Sequence, residues 1–267
     1  MKKWIAILLL MLPFWACVGQ KEDPEPDPDP IGPEKPTGQE EGSVFFHRVL
    51  ALGFTATWCQ YCPDMATALS EAARERPGRV VTLAVHYADE LSPAEADKLV
   101  ETFGIYGYPS LVFDYDRGTS CSGRPAETLM AYVDQAVEKE ACGLAAESVT
   151  EDGALRVMVT VKAVRPASYS LCAALAEDGI QVANQAGYGP GYTCNAVLRG
   201  YLAPGIDGVS LGELQAGEEG QAQFSMAAPE APENKYLVLY VLEDGVAVNA
   251  LRLGLDEKTG YTYEKED

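Results

Sequence analysis

The segment Phe54-Thr55-Ala56-Thr57-Trp58-Cys59-Gln60-Tyr61-Cys62-Pro63 places two cysteines three residues apart, after an apolar run and before a helix-like stretch. A strand that feeds straight into a helix leaves few folds open. Thiols at this spacing on the first turn of a helix can close a small reversible disulfide. The helix N-terminus presents unpaired N–H groups and a partial positive charge, which stabilise the thiolate of the first cysteine. Cys59 is therefore the candidate nucleophile and Cys62 the resolving thiol. This role requires Cys59 to stand open to visiting proteins, with a helical turn behind it.

Around that segment, residues 43–141 alternate strand and helix. Strands are expected at 44–54, 79–87, 110–114 and 119–122, and helices at 63–76, from Ser92 to about Phe103, and at 125–140. Arg79–Tyr87 is a near-continuous apolar run, as a buried parallel strand requires. Ser92-Pro93-Ala94-Glu95 reads as a capping box with proline at the first helical position. From residue 142 strands dominate. Glu-Asp-Gly recurs at 151–153, 177–179 and 243–245, and the first and third copies separate pairs of strands. Asp-Gly suits the tight hairpin turn. About seven strands with such turns make an immunoglobulin-like β-sandwich the expected architecture for 142–267. The tail after Asp256 is polar and is expected to fray.

A formal charge of −20, from 40 acidic and 20 basic residues, argues against a nucleic-acid surface. Met1-Lys2-Lys3 followed by an apolar stretch to Phe14 has the shape of a secretory signal. It falls short of the roughly 20 residues that span a bilayer. The segment 1–17 ends in Ala16-Cys17 and resembles a bacterial lipobox, which implies lipidation of Cys17 and attachment to a membrane. Residues 18–42 form a proline-rich acidic tether of polyproline character. Lys21-Glu22-Asp23 resembles a signal that sends some lipoproteins to the cell surface. The six cysteines besides Cys17 suit an oxidising compartment. Among Cys121, Cys142, Cys172 and Cys194 the pairing stays open. Cys172 and Cys194 are the candidates for a structural bridge, worth roughly 3 kcal/mol for a loop of about 20 residues.

The strand-Trp-Cys-x-x-Cys-helix order resembles the thioredoxin active site, and the element order of 43–141 matches that fold. The resemblance implies a cis-proline at Pro109, beside the disulfide, with Trp58 and the Tyr108-Pro109 segment shaping a substrate groove. It departs at Gly53, where thioredoxin carries a buried aspartate that assists the second thiol. His86, at the end of the second strand, is the possible proton relay in its place, or else a strand-end histidine bonded to backbone. Gln60 and Tyr61 carry no cation, which favours a reductase or isomerase over a strong oxidant. Zinc needs four ligands, and His47 and His86 are the only histidines. No metal or organic cofactor is implied. Gln185–Tyr192 (QAGYGPGY) reads as a mobile loop or as a binding loop with Tyr188 and Tyr192 as contacts.

The lipobox-like start, the Phe-Thr-x-x-Trp-Cys-x-x-Cys-Pro run, Ala84-Val85-His86 and Cys194-Asn195-Ala196-Val197-Leu198-Arg199 together resemble the Omp-twenty-eight-related outer membrane lipoproteins. The resemblance covers most of 44–255 and implies an envelope lipoprotein, periplasmic or surface-exposed, without an established substrate. The expectation is α/β plus all-β: a thioredoxin-like domain, then an Ig-like sandwich. The expected activity is thiol–disulfide exchange on exported proteins, sustained by a redox partner protein. The rival is a non-enzymatic, adhesin-like lipoprotein that uses the thioredoxin domain as scaffold. A permanently closed Cys59–Cys62 bridge would belong to that rival.

Overall fold

Val-Leu-Ala-Leu-Gly-Phe-Thr forms strand β1 (Val49–Thr55), buried on both faces between two neighbouring strands. The computed structural model describes residues 44–122 and 126–265. The segment 1–17, with Cys17, and the tether 18–42 lie outside the described residues. β1 pairs in parallel with β2 (Val80–His86), from Val49 opposite Val80 to Thr55 opposite His86. On its other side it pairs antiparallel with β3 (Ser110–Phe113). Helix α1 (Cys62–Glu75) buries Cys62, Met65, Leu69 and Ala72, a spacing of three and four that makes one apolar stripe. It packs with α3 (Ala126–Val137) over Val49, Ala51, Leu111 and Phe113. Helix α2 (Ala96–Phe103) closes the opposite face and ends at Gly104, in the left-handed region at φ 62°.

Two local expectations are corrected. Glu95 is the N-cap of α2, with no side-chain cap. The Ser92 hydroxyl bonds Asp89 instead, and Glu95 Oε1 accepts from Tyr201 N (3.2 Å). Residues 119–122 do not form a strand: a 3₁₀ turn at Arg117–Thr119 is followed by a single bridge, Leu111 to Cys121.

The β-rich half contains β4 (Gly143–Glu151), β5 (Ala154–Lys162), β6 (Ala167–Glu177), β7 (Ile180–Gln181), β8 (Thr193–Cys194), β9 (Val197–Tyr201), β10 (Val209–Leu214), β11 (Glu219–Ala227), β12 (Lys235–Glu243), β13 (Val246–Gly254) and β14 (Lys258–Thr259). Asp152-Gly153 and Asp244-Gly245 turn β4 into β5 and β12 into β13 with positive φ at all four residues, as the tight hairpin requires. The sheet β11-β5-β4-β14 packs on β13-β12-β6 across a core that includes Val157, Val159, Leu171, Leu237, Leu239 and Leu251. This is a β-sandwich.

The larger sheet of that sandwich does not stop at the end of the β-rich half. It runs β13-β12-β6-β9-β2-β1-β3. The crossing is made at Ala84 opposite Val197, with Ala84 N donating to Ala196 O (2.7 Å). One hydrophobic core serves both halves: Leu52, Leu83, Leu99 and Phe103 share it with Leu198, Val238, Tyr240 and Ala250. The boundary at 141/142 thus marks a change from mixed to all-β sequence, inside one compact unit.

The tail does not fray. β14 pairs with β4, and Phe45 contacts the rings of both Tyr261 and Tyr263. Arg79 holds the Glu264 carboxylate through both terminal nitrogens, each at 2.6 Å. The expected Cys172–Cys194 bridge is absent as well. Cys172 sits on the central strand β6, in the core shared by the two halves. Cys194 lies on the separate β7–β8 hairpin and packs with Leu91, Val182 and Val197. Burial pushes the Cys172 thiol up to about 12 and the Cys194 thiol to about 11.

Candidate redox site

β1 ends at Thr55 and the chain makes two successive turns before α1. Cys59 N donates to Ala56 O (3.1 Å) and Cys62 N to Cys59 O (3.4 Å). Cys59 and Cys62 are joined by a disulfide, with Cα atoms 5.5 Å apart. Tyr61 is the N-cap and Pro63 falls in the first turn. The helix therefore begins at Cys62, one residue before the expected start at Pro63, and Cys59 sits just ahead of its positive end. Cys59 is only 4% exposed, as is Cys62. The requirement that Cys59 stand open is not met in this conformation.

Aromatic side chains frame the pair. Trp58 is half-exposed and donates Nε1–H to Tyr87 O (3.0 Å). Its ring meets Tyr108 edge-on at 5.2 Å, and Tyr87 stacks on Tyr108 at 5.7 Å. Tyr108 packs against Ala56, Cys59 and Cys62. Burial pushes its phenol up, and its hydroxyl is buried with no hydrogen-bond partner among the described residues. The Tyr108–Pro109 bond is cis. Trp58 thus meets Tyr108, and Tyr108 packs on the two cysteines.

His86 bonds a side chain rather than backbone. Its Nδ1 lies 2.8 Å from Asp89 Oδ2, and both side chains are almost fully buried. Asp89 Oδ2 also accepts from Thr57 N (2.7 Å), and Oδ1 from Leu91 N (2.9 Å). Burial works to raise the Asp89 carboxyl, but the bonds from His86 and the two amides outweigh it and hold the group below its usual range. Asp89 escaped the sequence reading. Its only local signal is an acid three residues after a strand-end histidine.

A cavity of about 670 Å³ runs beside α1 and is lined by Cys62, His86, Pro109, Gln185 and Cys194 among others. Gly53 also lines it, and a Cβ there would make an ordinary 3.5 Å contact with Leu111. Backbone crowding therefore does not require glycine at this position.

The Gln185–Tyr192 stretch is bound to the redox turn. Gln185 is 2% exposed, and its side-chain amide donates to Ala56 O (3.1 Å) and Cys59 O (3.0 Å). Ala186 N donates to Thr57 O (2.8 Å). Tyr188 and Tyr192 meet edge-on at 4.9 Å, with Tyr188 largely exposed.

A thioredoxin family model matches residues 44–135, the stretch that holds the disulfide, its helix and the cis-proline. Residues 44–135 form a thioredoxin domain. Two curated relatives resemble it in sequence. Mouse protein disulfide-isomerase A2 is 32% identical over 127 residues, covering 42% of this chain and 23% of that protein. Chicken protein disulfide-isomerase is 26% identical over 125 residues, covering 45% and 22%. The chain thus spans less than a quarter of the length of either relative. Among solved structures, HBP35 of Porphyromonas gingivalis superposes with a TM-score of 0.69 at 20% identity, covering 84% of this chain and 80% of that one. Protein AGR_C_4864 of Agrobacterium tumefaciens superposes at 0.55 with 14% identity, covering 84% and 100%. Both likenesses concern the fold, and both extend beyond the thioredoxin domain into the β-rich half.

Proposed function

We propose that this chain is a thiol–disulfide oxidoreductase of reductase or isomerase type that works on exported proteins from a membrane-anchored position. The observation that carries the reading is the Cys59–Cys62 disulfide at the mouth of α1, inside a thioredoxin domain. The likeness to protein disulfide-isomerases supports it. In the reductive direction the Cys59 thiolate attacks a substrate disulfide, forms a mixed disulfide and expels one substrate thiolate. The Cys62 thiolate then attacks Cys59 Sγ, expels the second substrate thiolate and leaves the intramolecular bridge. The substrate gains two electrons and two protons. A redox partner protein must reduce the bridge again. In isomerisation the substrate's own thiol displaces Cys59 before Cys62 acts. Trp58, Tyr108 and Pro109 are assigned the substrate groove, and His86, held by Asp89, the proton relay for Cys62. The anchor is assigned to lipid on Cys17, and the setting to the outer membrane of an Omp-twenty-eight-related lipoprotein.

The burial of Cys59 favours a second reading, in which the thioredoxin domain is a scaffold for a tethered recognition protein. Equilibrating the purified chain with glutathione and reading the redox state of Cys59 and Cys62 separates the two. Cys62→Ala then traps partners as mixed disulfides. The oxidoreductase reading expects a midpoint above roughly −300 mV, the limit below which structural disulfides lie, and trapped exported proteins. A lower midpoint with nothing trapped selects the scaffold.

A further inference from the structure

The acids nearest the redox turn oppose a thiolate. Asp89 accepts from Thr57 N, and Glu90 lies 3.5 Å from the Thr57 hydroxyl. The other titratable groups beside the turn include Tyr61 at the N-cap of α1, Asp64 in its first turn, His86, bound to Asp89, and the phenol Tyr108. Gln60 and Tyr61 contribute no cation. Stabilisation of a Cys59 thiolate must therefore come from neutral N–H dipoles, and the Cys59 carbonyl receives two. One is Cys62 N–H, from the start of α1. The other comes from Gln185, 126 residues away in sequence.

The seat of Gln185 is built with care for fit. Gln185 N donates to Gly189 O (3.0 Å) and Gly189 N to Gln185 O (2.7 Å), which closes the loop on itself. Gly187 has φ 79°, and a Cβ there would lie 2.2 Å from Gln60 O, in the peptide between the two cysteines. Only glycine lets the loop approach that closely. With Ala186 N on Thr57 O, the loop touches the backbone of four of the five residues from Ala56 to Gln60.

We propose that Gln185 is a positioning residue for Cys59: its amide fixes the Ala56–Cys59 turn and directs N–H dipoles at the Cys59 peptide, so the β-rich half completes the redox centre. This deepens the oxidoreductase reading and rests on it for its biological meaning. Without the amide, the carbonyls of Ala56 and Cys59 lose a compensating donor within the redox turn, and ionisation of the Cys59 thiol becomes harder. A carboxylate in the same place adds a negative charge to that effect.

The test uses the full chain carrying Cys62→Ala, so that Cys59 is the thiol of interest, and follows its alkylation by iodoacetamide against pH. The midpoint of the profile reads ionisation and the plateau reads access. Gln185→Leu is expected to shift the midpoint upward. Gln185→Glu is expected to shift it further, slowing alkylation at pH 7 by about tenfold, the effect of one pH unit. Gly187→Ala keeps the amide but unseats the loop, and is expected to move the midpoint the same way as Gln185→Leu. In the chain with both cysteines, each variant should shift the glutathione equilibrium toward the disulfide, because the thiolate form is less favoured. Unmoved midpoints in both Gln185→Glu and Gly187→Ala would overturn the proposal, whether or not Gln185→Leu folds. A shifted midpoint in a chain that exchanges no protein disulfide would sustain the positioning role and remove the oxidoreductase reading instead.

Discussion

Asp114 carries a carboxyl that is almost fully buried. Its side chain accepts from Leu50 N (2.9 Å), and its carbonyl accepts from Ala247 N (2.6 Å) across to the β-rich half. Burial pushes the group up to about 7, against the pull of the Leu50 amide and of Lys139. Because the folded value lies above the unfolded one, the stability linked to Asp114 is complete below its ordinary value and is lost as pH rises through about 7. Asp114→Asn keeps the shape and removes the titration. The stability of the parent chain should therefore fall relative to this variant between about pH 4 and pH 7, with a slope approaching 1.4 kcal/mol per pH unit. Parallel urea midpoints across that range would refute this. Asp89 has the opposite sign. Its carboxyl is held down, so its contribution is present near neutrality and is lost as pH falls through the depressed value. Asp89→Ala is expected to cost about 2–4 kcal/mol at pH 7, because a buried histidine and two amides lose their acceptor. Chemical denaturation measures the loss, and the gap should narrow on acidification.

Among the elements, those with a strong local period were legible in the sequence. Apolar runs marked β1 and β2, the alanine-rich stretch with Met65 and Leu69 marked α1, and Asp-Gly marked two hairpins. What escaped was decided by distant partners. β10 alternates weakly, and it forms because β6 is long enough to pair with β9 at one end and β10 at the other. Ser92 has the chemistry of a cap, but Asp89 offers its hydroxyl a better partner. The polar tail hides three anchors, Tyr261, Tyr263 and Glu264, which become visible only once Phe45 and Arg79 are in place. At the site, the two cysteines were readable from their spacing, and Trp58 and Pro109 through the thioredoxin resemblance. Gln185 was not, since a glutamine in a glycine-rich loop has no local mark of what it will bond. Removing residues 257–267 is expected to destabilise the chain by at least about 2 kcal/mol, through the lost ladder pairs, the stacked rings and the partly buried Arg79 pair. A thermal or urea midpoint unchanged by the deletion would show that the tail is ornamental.

At the scale of the whole molecule, the two halves share a sheet and a core. A fragment ending at 141 would leave the β2 edge without β9 and uncover the face formed by Leu50, Leu52, Val81 and Leu83 on the side away from α1. α2 covers only part of that face. The fragment 43–141 is therefore expected to aggregate or to lose cooperative unfolding, whereas 43–265 should elute as a folded species. A monomeric fragment with a sharp urea transition would overturn that expectation. The same contacts impose an order on biogenesis. Both cysteines are synthesised within the first quarter of the chain, yet the glutamine that grips their turn is added more than a hundred residues later. A nascent polypeptide halted before residue 185 carries the thiols without the finished cradle around them. Long-range closure of this kind is slow to assemble, so the grip on the cysteine turn arrives only when most of the chain's own folding is complete.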